Sequence, residues 1–218
     1  MEDKKKQLFR DILVSSYEAG ACHIGSALSC LDILIDLFYK TLKKGDIFLF
    51  SKASGVATYY AILADKGYFL KKELSYYLKN YPLPSKEVPG VINSFGSIGH
   101  GLSVACGLAL GDRSKRVFIL ISDGELQEGS TYEAALFARQ HKLKNLYVIC
   151  DNNGLQACGR IKDILDLETA FDFYKKTLPN FKRVKTIKGK GVKFLENKVE
   201  SHYMNLTAEK LNEALKWI

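Results

Sequence analysis

Two short stretches rich in side-chain oxygen follow apolar runs. Ser122-Asp123-Gly124-Glu125 closes the run from Arg116 to Ile121, and Asp151-Asn152-Asn153-Gly154 closes the run from Leu146 to Cys150. If both runs are strands of an open parallel sheet, these residues lie beyond the carboxyl ends, where such sheets bind ligands. Asp123 and Asn153, 30 positions apart, then meet there. A carboxylate and an amide oxygen, completed by a main-chain carbonyl and water, suit Mg²⁺ gripping a diphosphate. Gly124 removes a side chain where a phosphate must approach, and a helix starting near Glu128 adds the positive end of its dipole. An Asp-Gly after one strand is an ordinary turn. The pairing at two consecutive strand ends is what points to a site. The loop from Gly96 to Gly101 has the order GxxGxG, not the dinucleotide order GxGxxG, and Lys188 to Gly191 lacks the P-loop frame.

The elements needed to position these residues are legible from periodicity. Continuous apolar runs at 47–50, 116–122 and 146–150 predict buried strands, with a fourth at 183–187. Helical spacing predicts helices at 3–20, 29–42, 57–66, 71–79, 101–110, 128–142 and 207–217, the first stopped by Gly20 and the last capped by Thr207. Strand, helix, strand between 116 and 150 is a βαβ unit. The expectation is one α/β domain over 1–218, doubly wound, with a mostly parallel central sheet and helices on both faces.

Composition narrows the class. The 218 residues are 47% hydrophobic and 26% charged with 4 Pro, which excludes a disordered or fibrous chain. A formal net charge of +8 suits anionic ligands without choosing among them. The apolar stretch 31–39 carries Asp32 and Asp36 and is too short to span a bilayer, and no signal peptide is evident. Cys22, Cys30, Cys106, Cys150 and Cys158 form an odd set with no CxxC pair, and the four histidines are scattered. Reduced thiols, a cytoplasmic setting and no zinc cluster are expected. The basic residues between Lys182 and Lys193 read as a solvated face or a diphosphate contact rather than a nucleic-acid site, since only Phe194 interleaves. His100 reads as a packing residue.

Ser122-Asp-Gly-Glu-Leu-Gln-Glu-Gly129 with Asn153 resembles the thiamine diphosphate motif, in the form found in transketolases. Four further segments are similar to that family in the same order: Cys22–Ser26, Ser51–Ser54, Pro89–Val91 with Gly96–Gly99, and Lys185–Gly191. The resemblance implies a thiamine diphosphate-binding fold, matching the N-terminal, diphosphate-binding half of a transketolase. It implies Asp123, Asn153 and the carbonyl of Leu155 as Mg²⁺ ligands. Gly124 and Glu125 stand at the diphosphate, Gly96, Ser97 and Ile98 border the cofactor rings, and Lys188 is a further cofactor contact. It implies catalytic roles for His23, His202 and Glu128, the last facing the partner across an interface beside the cofactor.

The departures matter too. Two family histidines are replaced, by Ser54 and by Leu83, and the stretch around 160–182 is shorter than the family's. The carboxylate that activates the cofactor comes, in the family, from a second domain. The resemblance therefore implies a C-terminal transketolase-like partner subunit, in a heterotetramer, and transfer of a two-carbon ketol unit from a ketose phosphate to an aldehyde. The altered positions point to an unusual sugar or biosynthetic aldehyde. They also leave open a non-catalytic subunit that stabilises or regulates a thiamine-enzyme partner, against which the retention of Asp123, Gly124 and Asn153 counts.

Overall fold

The computed structural model describes residues 2–216. The chain opens with helices α1 (Glu2–Ala19), α2 (Ile24–Ser29) and α3 (Leu31–Asp36), then strand β1 (Ile47–Phe50). Helices α4 (Val56–Asp65), α5 (Leu74–Asn80) and α6 (Gly101–Gly111) lead to β2 (Val117–Ser122), α7 (Gly129–Gln140) and β3 (Leu146–Asn152). Helices α8 (Ile161–Ile164) and α9 (Glu168–Thr177), strand β4 (Phe181–Lys185) and α10 (Ala208–Leu215) complete it.

The four strands are all parallel and lie in the order β1-β2-β3-β4. Helices cover both faces, as expected. The winding differs from a doubly wound sheet, because the strand order never reverses. The α6, α7 and α9 faces bury Leu49, Val117, Ile119, Ile121, Val148 and Cys150. Alternate residues Phe48, Phe50, Phe118, Leu120 and Ile149 pack instead against α1–α4 and the C-terminal segment. This period-two split is why the central strands are apolar throughout: both faces are buried. Ile119 and Leu120 are each 0% exposed, and full burial of such a side chain stabilises by roughly 1.5–3 kcal/mol.

Several boundaries differ from expectation for local reasons. The helix expected at 29–42 starts two residues late, as α3, and runs on into a π-helical turn at Leu37–Thr41; Cys30 (φ −93°, ψ 1°) separates it from α2, which the sequence did not announce. The last strand sits two residues early, at Phe181–Lys185 rather than 183–187, where its register with β3 fixes it. Residues 71–73 form a 3₁₀ turn before α5. Gly20 (φ 62°) ends α1, and Thr207 caps α10 by accepting from the Lys210 N–H at 3.3 Å. Residue 217, in the predicted last helix, lies outside the described residues. The segment 160–182 builds α8, α9 and the start of β4, which is an edge strand with Lys182 and Lys185 exposed.

Gly101 opens α6 where the helix crosses β1. A Cβ there would fall inside the Ser51 side chain and lie 3.1 Å from Ile119 Cδ1. Overpacking of this kind costs about 1–3 kcal/mol. Gly101→Ala is therefore expected to lower the unfolding free energy from urea titration by that amount, whereas Gly107→Ala, with open space at its Cβ, should leave it unchanged or raise it.

Candidate active site

The register that pairs Ser122 with Asp151 carries the chain ends of β2 and β3 out side by side. The Asp123 N–H donates to the Asp151 carbonyl (3.2 Å). The Asp123 carboxylate accepts from the N–H of Gly124 (3.0 Å), the N–H of Gly154 (2.6 Å) and Asn152 Nδ2 (3.2 Å). It is 1% exposed and forms no ion pair among the described residues. Burial pushes its pKa up. Asn153 Oδ1 accepts from the Leu155 N–H (3.0 Å), and its Nδ2 donates to Ser29 Oγ (3.4 Å).

These residues border a cleft of about 310 Å³. It brings together Asp123, Gly124, Asn153 and Leu155 with Gly96 and Ile98, and adds His23 and His202 on the facing wall. Ser54 and Leu83 line it as well. Four predicted residues sit off the cleft wall. Ser97 is exposed in the Gly96–Gly99 loop, and Glu128 is half-buried against Gly99. Glu125 is buried and already bonded: it accepts from Ser51 Oγ, from the Ser122 N–H (2.8 Å) and from Ser122 Oγ (3.1 Å). Lys188 is fully buried and reaches the site through His202. His100 is exposed rather than packed. A larger cavity of about 460 Å³ shares Asn153 and Leu155 with the cleft but none of its other predicted site residues.

The histidine wall is tightly built. His23 adopts a left-handed backbone (φ 67°), which costs strain for a non-glycine residue. Its N–H donates to the His202 carbonyl (2.9 Å), and the two rings meet edge-to-face at 4.7 Å. Lys188 Nζ donates to the Gln156 carbonyl (3.0 Å) and lies 3.0 Å from His202 Nδ1. Burial, then Lys188, His23 and Lys52, lower His202 to about 3. Burial, then Lys188 and Lys52, lower His23. Burial and Lys52 bring Lys188 down to about 8. A neutral His202 that accepts at Nδ1 from Lys188 carries its proton on Nε2 and is a fixed donor.

Two residues that sequence reasoning left without a role underlie the site. Lys52 and Asp151 form an ion pair at 2.9 Å, with side chains 1% and 0% exposed. Lys52 lines the cleft and also donates to the Ser26 carbonyl and Ser29 Oγ, both at 3.1 Å. Burial alone would lower the lysine, but Asp151, together with Cys30 and Asp123, more than offsets it and raises its pKa. The available signal was that Lys52 and Asp151 each lie at a strand end.

The donor set decides which metal fits. Among the described residues no group of three or more His, Cys, Asp or Glu side chains gathers at one point, so no thiolate or imidazole site exists there. One buried, unpaired carboxylate beside an amide oxygen and loop carbonyls is the oxygen set of a hard cation. Such a set fits Mg²⁺ carrying a diphosphate, with Gly124 leaving space: its nearest side-chain neighbour is Gln156, 3.5 Å from where a Cβ would stand.

The family described as "Thiamine pyrophosphate enzyme, C-terminal TPP binding domain" matches residues 73–217. An apulose-4-phosphate transketolase subunit of Actinobacillus succinogenes is 33% identical over 262 residues, spanning 99% of this chain and 95% of the relative. The chain belongs to the transketolase family of thiamine pyrophosphate enzymes. A 6-deoxy-6-sulfo-D-fructose transketolase subunit of Clostridium sp. (strain MSTE9) is 31% identical, over 87% of this chain and 86% of the relative. The solved transketolase of Leishmania mexicana superposes with a TM-score of 0.84 at 21% identity, which bears on the fold alone, and this chain spans 40% of that one. No helix among the described residues is long and apolar enough to cross a membrane.

The lowered His202 makes a stability prediction. Between its ordinary value near 6.5 and about 3, the unfolded chain binds a proton that the folded chain excludes. Stability then rises with pH across that window and falls as the solution is acidified through it. Melting curves from pH 7 to 4 should show this decline, and His202→Gln should make it shallower.

Proposed function

We propose that this chain is the diphosphate-binding subunit of a two-chain transketolase, equivalent to the N-terminal part of single-chain transketolases. With Mg²⁺ and thiamine diphosphate it transfers a two-carbon ketol unit from a ketose phosphate to an aldehyde. The observation that carries the reading is the convergence of Asp123, Gly124, Asn153 and Leu155 with His23 and His202 on one cleft.

In this reading Asp123 and Asn153, with the Leu155 carbonyl, hold the cation, and Gly124 lets the diphosphate approach. When bound, thiamine diphosphate supplies the nucleophilic carbon and the electron sink for breaking and making the C–C bond. His202, kept neutral by burial and Lys188, donates a hydrogen bond to a substrate oxygen. His23, lowered in the same way, faces the same oxygen region and exchanges its proton there. Leu83 and Ile98 are apolar and limit water. Ser54 and Leu83 stand in the cleft where the family has histidines, which supports an unusual sugar or biosynthetic aldehyde as substrate. The substrates named for the two subunit relatives, an apulose phosphate and a sulfofructose, support the same class.

The partner follows from what the cleft lacks. Asp123 is the sole carboxylate lining it among the described residues, and metal binding occupies that group. The carboxylate that activates the cofactor then comes from a C-terminal transketolase-like subunit, in a heterotetramer. Helices α6 and α7 pack together and leave Val104, Leu108, Leu136 and Phe137 exposed at 42%, 36%, 53% and 40%, an apolar surface suited to that partner. Five cysteines, none bridged among the described residues, agree with a cytoplasmic setting.

Calorimetric titration of the assembled complex with Mg²⁺ and thiamine diphosphate should show binding that Asp123→Ala abolishes, together with ketol transfer. Unchanged activity in that variant would instead establish a non-catalytic subunit. Leu108→Asp with Leu136→Asp should weaken assembly at least tenfold by ultracentrifugation while leaving the melting temperature of the isolated chain nearly unchanged.

A further inference from the structure

Ser29 closes α2 and is 1% exposed. Four groups surround its Oγ: Asp151 Oδ2 at 2.6 Å, the Ser26 carbonyl at 2.9 Å, Lys52 Nζ at 3.1 Å and Asn153 Nδ2 at 3.4 Å. A hydroxyl has one proton and two lone pairs. The proton goes to Asp151, which is both the nearer acceptor and the charged one. One lone pair is then taken by Lys52, which can only donate. What remains is a single lone pair facing Asn153, so Ser29 can receive a proton from that amide but cannot give one. An asparagine amide is nearly symmetric in shape, and only its neighbours distinguish Oδ1 from Nδ2. Ser29 makes that distinction from one end, and the Leu155 N–H (3.0 Å) from the other.

We propose that Ser29, with its proton committed by the Lys52–Asp151 pair, is a positioning residue that holds Asn153 with Oδ1 rather than Nδ2 available to the divalent cation. The inference rests on the cofactor reading above and deepens it. Groups that orient a metal ligand typically change metal affinity by about 10–100-fold.

The test is a double-mutant cycle read by metal binding rather than by turnover. Mn²⁺ is titrated into the assembled complex with saturating thiamine diphosphate, free Mn²⁺ being followed by electron paramagnetic resonance. Wild type, Ser29→Ala, Asn153→Asp, the double variant and Asp123→Ala are compared. Ser29→Ala is expected to weaken Mn²⁺ binding about tenfold. In the Asn153→Asp background the same change should have no effect, because a carboxylate offers oxygen at both ends. An equal loss in both backgrounds would mark a general loosening of the floor and overturn the proposal, as would an unchanged Kd in Ser29→Ala. Equal Mn²⁺ binding by wild type and Asp123→Ala would overturn the cofactor reading itself and this inference with it. If Ser29→Ala does not fold, Ser29→Cys, whose sulfur is a weak acceptor, runs through the same cycle with the same outcomes.

Discussion

The site stands on one buried ion pair. Taking the Lys52 and Asp151 charges out of water costs several kcal/mol per ion, and only good geometry with every remaining proton and lone pair satisfied offsets that. Here the geometry meets that demand. The three Lys52 protons go to Asp151, Ser29 and the Ser26 carbonyl, while Asp151 also accepts from Ser29 and Thr186. The pair thereby ties the end of β1, the end of α2, the end of β3 and the residue after β4 into one block. Elements far apart in sequence form a single floor, and the loop from Asn152 to Gly154 rises directly from it. Deleting one member would leave the other charged and unpaired, a loss of about 3–5 kcal/mol in such settings.

The floor also sets the charge pattern of the cleft. One part of the lining is the unpaired Asp123 carboxylate, and another is Lys52 with two histidines whose protonation is suppressed by burial and by their charged neighbours, Lys188 behind His202 among them. A cation is welcome at the first part and an anion at the second. A metal–diphosphate, with its alternating charges, suits both at once. The strain at His23 belongs to the same arrangement: its left-handed backbone places the N–H on the His202 carbonyl and the ring against the His202 ring.

Much of this was legible in the sequence, and the reasons are physical. Strands β2 and β3 announce themselves because both faces are buried and no polar residue interrupts them, and the oxygen-rich residues after them fall where a parallel sheet presents its ligands. Helix α2 was not legible, since six residues, Ile24–Ser29, are too few to show a helical period. The role of Lys52 was hidden for a different reason. In a chain with 32 lysines and arginines, nothing local distinguishes a fully buried lysine from a solvated one, and its partner is nearly a hundred positions away. Lys188 was read within a basic run, yet it is buried while Lys182, Lys185 and Lys190 are exposed. Glu125 looked like a ligand from its place in the motif and proves to be bonded internally.

The open edge of the sheet has its own consequence. Strand β4 ends the sheet and pairs with no further strand among the described residues, and such an edge is the usual route to edge-to-edge aggregation. Its outward residues are Lys182 and Lys185, and Arg183 is held between Glu168 and the Phe171 ring. A second β4 approaching that edge would bring like charges into register and strip water from them. Edge-to-edge pairing of two copies through β4 is thereby opposed.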